Sequence, residues 1–273
     1  MTGRREIIAG LAAAIAVAGS GLGSAKAASG TSRVPADIVA ALAPMGRLRA
    51  AINLGNAVLA QRDPKTGIVS GVIVDMSNEL ARRLATPVDF IYYDTGGKIA
   101  PSQSMDRWSI AYLGTEQSRA ANLDVTEPYL TLDGTYLVRE SSRYRSVADL
   151  DHDGARIATA LNSAYDLELS RMLKHAKLVR APTSAAAIEL FEHDGLEAAA
   201  GVRQALVEEQ KSAKGLRVLP DAYTHIDQAM TIPRGHDAAL TFLQSFVADL
   251  KTSGFIKASL DRSGQSAELV QSR

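Results

Sequence analysis

Apolar side chains recur along the chain with two periods, and their alternation sets the first expectation of fold. Residues 48–54 read as a strand, and Asp63-Pro64-Lys65-Thr66-Gly67 carries dense turn chemistry. Over residues 72–84, Val72, Met76, Leu80 and Leu84 recur at intervals of four, with Glu79, Arg82 and Arg83 on other faces. That spacing predicts an amphipathic helix, ended by Thr86-Pro87. Residues 88–92 are β-branched and aromatic and predict a second strand, which completes a strand–helix–strand unit. Residues 108–113, 134–138 and 156–160 are strand-like, residues 164–175 helical, and residues 183–193 helical with Thr183 or Ser184 as cap. Residues 196–202 are small and apolar, and periodicity alone leaves them as a buried strand or a helix edge. Leu240, Leu243, Phe246, Val247 and Leu250 predict a final helix over residues 238–253, stopped by Gly254. Strands alternating with helices predict an α/β architecture with mostly parallel sheet.

The first residues follow a different logic. Arg4 and Arg5 precede an apolar run of about a dozen residues, short of the roughly 20 that span a bilayer, and Ala25-Lys26-Ala27 offers small residues at a cleavage-like spacing. Residues 1–27 are therefore read as an export signal cleaved near Ala27, by the general or the twin-arginine route. Gly19-Ser20-Gly21-Leu22-Gly23 approaches a dinucleotide fingerprint but follows no strand.

Composition narrows the chemistry. The 273 residues are 46% hydrophobic and 22% charged, which excludes disorder as the main theme. Lys plus Arg equals Asp plus Glu at 30 each, so no global field recruits nucleic acid or anionic membrane. With no cysteine there are no disulfides, thiolate nucleophiles or Cys-ligated metals. No two of His152, His175, His193, His225 and His236 stand three or four residues apart, so no helical metal site is expected. Asp149, Asp151, Asp153 and Gly154 imitate the start of a calcium loop, but Ala160 stands where a bidentate Glu is required, and capping is the better reading. Nucleophile-elbow and phosphate-loop motifs are missing.

The most informative stretch runs from Trp108 through Gly114, Thr115, Glu116, Gln117, Ser118 and Arg119, then through Leu123-Asp124-Val125-Thr126-Glu127-Pro128-Tyr129-Leu130. It resembles the family 3 extracellular solute-binding proteins of amino-acid-type ABC importers, in which a strand leads to a Thr-x-x-Arg-like turn and then to an Asp-Phe-Ser/Thr-x-Pro-Tyr segment at the hinge. Leu48-Arg49-Ala50-Ala51-Ile52, Gly71-Val72-Ile73-Val74-Asp75-Met76 and Leu250-Lys251-Thr252-Ser253-Gly254 extend the resemblance over nearly the whole mature chain.

The resemblance implies a two-lobed type II periplasmic binding fold, each lobe a mostly parallel sheet flanked by helices, joined by a hinge crossed twice. Lobe 1 is expected over residues 34–130 and 229–273, lobe 2 over residues 131–228. A periplasmic monomer is implied that closes on a small carboxylate, an amino acid or other organic anion, and delivers it to a membrane ABC permease. No enzymatic activity, cofactor, metal or nucleic acid is expected. Arg119 takes the position that pairs with the ligand carboxylate, a role suited to a planar guanidinium; the bland alternative is a salt bridge to Asp124 or Glu127. Asn162, Ser163, Ala164 and Tyr165 take the strand-to-helix position that offers amides and a hydroxyl, and Ser163 is also a good helix cap. Asn53 follows the opening strand, and Tyr112, Gly114 and Thr115 precede the arginine turn.

Three departures stand out. Asn53, Leu54, Gly55 and Asn56 include no aromatic, Ser109 replaces an Asp, and Arg203 sits where relatives place an acid for an α-ammonium group. Arg203 is thus expected either to bridge a second acidic group of the ligand with Arg119 or to face solvent. An exported dehydratase-like enzyme on the same scaffold is the competing reading, with Glu116 or Glu197 as its acid or base.

Overall fold

The computed structural model describes residues 33–103, 107–115 and 122–270. The export signal read over residues 1–27 lies outside that set, and no described helix is long and apolar enough to cross a membrane.

A short helix α1 (Ala36–Leu42) leads into β1 (Leu48–Asn53). Ala50 and Ile52 join the main core, whereas Ala51 faces a second cluster with Ile99 and Trp108. With both faces buried, β1 shows an apolar run over Ala50, Ala51 and Ile52 in place of alternation. The hairpin of β2 (Gln61–Arg62) and β3 (Val69–Ser70) surrounds the turn at 63–67, where Asp63 Oδ1 accepts the N–H groups of Lys65 and Thr66 at 2.8 Å each. Helix α2 (Val72–Leu84) has the bounds its period predicts and buries Val72, Met76, Leu80 and Leu84.

The end of α2 differs from expectation. Exposed Ala85, not Thr86-Pro87, terminates the helix in the left-handed conformation (φ 52°), and its N–H reaches the carbonyls of Ala81 and Arg82. A Cβ disfavours that conformation by about 1–2 kcal/mol, and glycine avoids the clash at some entropic cost. Ala85→Gly should therefore raise the unfolding free energy by about 0.5–1 kcal/mol in urea titrations.

On the same helix, hydrogen bonds from Arg82 hold the Glu79 carboxyl down at about 2; partial burial opposes this, and Arg83 adds to it. A depressed folded-state value contributes stability above the ordinary 4.5, lost as pH falls toward 2. Urea midpoints should fall between pH 5 and pH 3, and Glu79→Gln should shrink that fall.

Strand β4 (Val88–Tyr93) pairs in parallel with β1; a short helix α3 (Gly96–Ile99) follows, and β5 (Ile110–Gly114) pairs in parallel on the other side of β1. Strands β6 (Leu123–Val125) and β7 (Leu130–Arg139) come next, the latter longer than the 134–138 expected. Then follow β8 (Arg156–Ala160), α4 (Ala164–Met172), β9 (Lys177–Ala181), α5 (Ser184–His193), β10 (Ala198–Val202), α6 (Arg203–Ser212), β11 (Leu216–Val218) and β12 (Thr224–Pro233). The α4 helix stops short of residue 175 because Leu173 turns to extended backbone ahead of β9. The ambiguous stretch 196–202 is strand: β10 is buried along its length between β7 and β8. Gly254 ends α7 (Asp237–Thr252) as expected, and with φ 74° it also starts a further helix, α8 (Phe255–Arg262).

The strands form one ten-stranded sheet in the order β4-β1-β5-β12-β7-β10-β8-β9, with β6 beside β12 and β11 beside β7. Parallel triplets β4-β1-β5 and β10-β8-β9 lie on either side of the antiparallel pair β12/β7. The chain thus has two lobes, and the two strands that cross between them join both half-sheets, which sequence patterning treats as separate. At Gln228, β12 pairs both with Gly114 of β5 and with Leu130 of β7.

Asp149 and Asp151 serve the backbone. The Asp149 carboxylate accepts the N–H groups of Arg145 and Ser146, and Asp151 Oδ1 those of His175 at 2.8 Å and Ala176 at 3.0 Å.

Candidate functional site

A cavity of about 70 Å³ opens where the strand order reverses, at the carboxyl ends of β1 and β5 and beside the amino termini of α4, α5 and α6. Such switch points are where open α/β sheets take ligands. Lobe 1 contributes turn residues. Asn53 leaves β1 and its Oδ1 accepts the Gly55 N–H at 2.9 Å; Thr95 leaves β4 and its Oγ1 accepts the Gly97 N–H at 3.3 Å, capping α3. Lobe 2 contributes helix starts. Ser163 caps α4 by accepting the Asp166 N–H at 3.1 Å, and Ser184 opens α5. Helix α6 begins after Val202 without a side-chain cap, so its first N–H groups have no such partner at the cavity wall formed by Val202 and Ala205. Three helix amino termini therefore meet one cavity, and their dipoles favour negative charge there.

A buried carboxylate holds this edge in place. Asp166 accepts the Asn162 N–H at 2.9 Å and the Arg180 Nε–H at 3.0 Å, while its own N–H binds Ser163 Oγ. The Tyr165 hydroxyl lies 2.9 Å from Ser184 Oγ; burial raises its pKa, and hydrogen bonds from Ser184 and Ser163 partly offset the rise. Removing the Ser163 cap by Ser163→Ala should destabilise the fold by about 1 kcal/mol, measured by thermal unfolding.

The lobes touch across the cleft. Ser184 Oγ donates to the Gly55 carbonyl at 3.3 Å. Gly97 approaches Leu161 and Asn162 so closely that an added Cβ would sit 2.8 Å from Asn162 Cβ and 2.9 Å from the Leu161 carbonyl oxygen.

Of the residues singled out in the sequence, Asn53, Tyr112, Gly114, Ser163, Ala164 and Tyr165 line this cavity together. Tyr112 does so without offering its hydroxyl, which lies 2.9 Å from Ser77 Oγ in the core and is raised in pKa by burial. Thr115 lines an adjoining recess of about 180 Å³ with Glu168, Arg171 and Asp227. Asn162, in the left-handed conformation at φ 57°, stands at the lobe contact outside the lining. Arg119 and Glu116 lie outside the described residues.

Arg203 corrects both of its expectations. It is not among the residues lining the cavity and is only partly exposed: its guanidinium binds Asp133 at 3.2 Å and the carbonyls of Leu219 at 2.9 Å and Asp221 at 2.8 Å. Its place at the first position of α6 turns the side chain across β7, toward the loop before β12. Asp124, offered above as a partner for Arg119, accepts from Arg234 Nε at 3.4 Å and the Gly235 N–H at 3.2 Å.

Glu197 lies outside the lining as well. It binds Arg156 at 3.2 Å; burial raises its pKa, but the hydrogen bonds and charge of Arg156 prevail and hold it below the usual value. Sequence reasoning missed Thr95, Ser184 and Gln228 as cavity residues. The Thr-Gly-Gly turn after β4 and the Thr183-Ser184 cap were signals for the first two; Gln228 had none, because its position depends on strand order.

The sequence matches the model of bacterial extracellular solute-binding proteins, family 3, over residues 49–265. No curated protein sequence is significantly similar. Similar solved structures include a mutant of ArgBP from T. maritima, with a TM-score of 0.73 at 18% identity over 83% of this chain and 99% of that one. A putative binding component of an ABC transporter from Wolinella succinogenes, complexed with lysine, superposes with a TM-score of 0.71 at 22% identity, covering 80% and 95%. The ancestral amino acid-binding protein AncCDT-1, a precursor of cyclohexadienyl dehydratase, superposes with a TM-score of 0.71 at 20% identity, covering 82% and 97%.

Proposed function

Because the chain belongs to the bacterial extracellular solute-binding proteins of family 3, we propose that it is the exported, monomeric binding component of an ABC importer. It captures a small carboxylate between lobes spanning residues 34–130 with 229–273 and residues 131–228, and presents the closed form to a membrane permease. The observation that carries this reading is the meeting of three helix amino termini at one cleft beside a hinge crossed twice. Unpaired N–H groups and dipole ends supply attraction for an anion, and Arg119 supplies the charge partner. Solute stabilises the closed form only through its greater affinity for it. The amino-terminal 27 residues direct export and are removed.

The similar structure from Wolinella succinogenes is complexed with lysine, and another, the substrate-binding protein AbpA from Streptococcus pneumoniae, is bound to L-arginine, which supports an amino acid or related carboxylate as the class. An enzyme on this scaffold is the second reading, favoured by AncCDT-1; with Glu197 held by Arg156, its acid or base falls to Glu116. Purification without denaturant, followed by mass spectrometry, separates the two. Recovery of one small carboxylate, unchanged after incubation, is expected; conversion to a product would select the enzyme, and absence of any carboxylate ligand would remove the binding reading.

A further inference from the structure

We infer that the cleft selects a small carboxylate whose side chain is aliphatic and uncharged; this rests on the binding reading above and narrows it. The two sides of the cavity differ in chemistry. The lobe 2 side is walled by Ile188, Ala200, Val202, Ala205, Leu206 and Ile226, all carbon at their side chains, four of them buried. Opposite them, the acceptors of Asn53, Asn56 and Thr95 are already engaged by the N–H groups of Gly55, Val58 and Gly97. No Asp, Glu, Lys or Arg is among the described residues lining the cavity.

A carboxylate is served by the helix starts at Ser163, Ser184 and Val202, which occupy one edge of this wall. The rest of the solute then lies against Val202, Ala205 and Ile188. A lysine ammonium or arginine guanidinium placed there would lose water against carbon, and an unpaired buried charge is strongly unfavourable. Size acts in the same direction: about 70 Å³ is far below the roughly 300–1,000 Å³ of pockets for drug-sized ligands. The adjoining recess does carry carboxylates, but Glu168 is paired with Arg171 and Asp227 accepts the Thr131 hydroxyl at 2.6 Å. A long cationic chain reaching that recess would have to displace those partners.

The test is calorimetric titration of the purified full chain against alanine, valine, lactate, propanoate, glutamate, succinate, lysine and arginine. At least one of the first four is expected to bind ten or more times tighter than any of the last four. Comparison of alanine with lactate and propanoate tells whether an α-amino group is required. Two variants locate the effect. Ala205→Leu, which fills the cavity, is expected to weaken the best aliphatic ligand at least tenfold, with the unliganded melting temperature within a few degrees of the parent. Ile188→Asp, at a half-buried position, is expected to shift preference toward lysine. Tighter binding of lysine, arginine, glutamate or succinate by the parent would overturn this inference and leave the binding reading intact. No binding by any of the eight would remove both, and unchanged preference in both variants would remove the assignment of this wall.

Discussion

Replacing Gly97 with Ala is expected to weaken solute binding about fivefold or more while leaving the unliganded protein as stable as the parent. The reason is that the added methyl meets the other lobe and little else. Its Cβ would stand 2.8 Å from Asn162 Cβ, 2.9 Å from the Leu161 carbonyl oxygen and 3.0 Å from the Asn162 carbonyl oxygen. Two of these atoms are backbone, in a turn fixed by the Asp166 carboxylate on the Asn162 N–H, so they cannot swing aside as a flexible side chain would. Gly97 also lies in a helix and outside the left-handed region, where alanine is well tolerated. The penalty therefore falls on the arrangement in which these residues meet, which the binding reading takes to be the solute-bound one. Overpacking of this kind costs about 1–3 kcal/mol, which is about 5–150-fold in the closing equilibrium. Calorimetry gives the affinity, and small-angle scattering at saturating solute should show a larger radius than the parent has. Unaltered affinity with unaltered stability would mean that lobe closure does not bring these residues together.

How much of this was readable beforehand depended on whether the signal was local. Helix α2 was legible to its last residue because Val72, Met76, Leu80 and Leu84 repeat at the helical period and nothing distant competes. The cap at Ser163, and to within one residue the cap at Thr183, were legible for the same reason, since a cap is decided within four residues. Strand β12 was not predicted at all. Its sequence, Thr224 to Pro233, mixes polar and apolar residues without a clean alternation, and it is a strand because β5, β6 and β7 all pair with it. Missing β12 hid Gln228 and Ile226 as cavity residues. Arg203 failed for a related reason: the resemblance fixed its position along the chain, but Asp133 and the carbonyls of Leu219 and Asp221 reach it through tertiary packing. Charge at a family position indicates a ligand only when no closer partner in the fold has claimed it.

Arg119 and Arg203 should accordingly fail in opposite ways when truncated. Arg119→Ala is expected to reduce affinity 100-fold or more with little change in melting temperature. Truncating one member of a desolvated charge pair costs about 2–5 kcal/mol, much of it from leaving the other charge unpaired, and every 1.4 kcal/mol is about tenfold. Arg203→Ala is expected to do the reverse. It leaves Asp133 with His225 as its remaining partner, at 2.8 Å, and strips a donor from the carbonyls of Leu219 and Asp221. Both carbonyls keep the Thr135 hydroxyl, at 3.3 and 2.7 Å, which limits the damage. A loss of about 1–3 kcal/mol follows, or roughly 2–4 °C per kcal/mol for a chain of this length, with affinity within about threefold of the parent. Parallel thermal unfolding and calorimetry on both variants check the pair. If Arg203→Ala abolished binding at unchanged stability, its contacts with Asp133, Leu219 and Asp221 would have to give way to solute in the bound state. If Arg119→Ala bound normally, the carboxylate would be held by the helix amino termini alone.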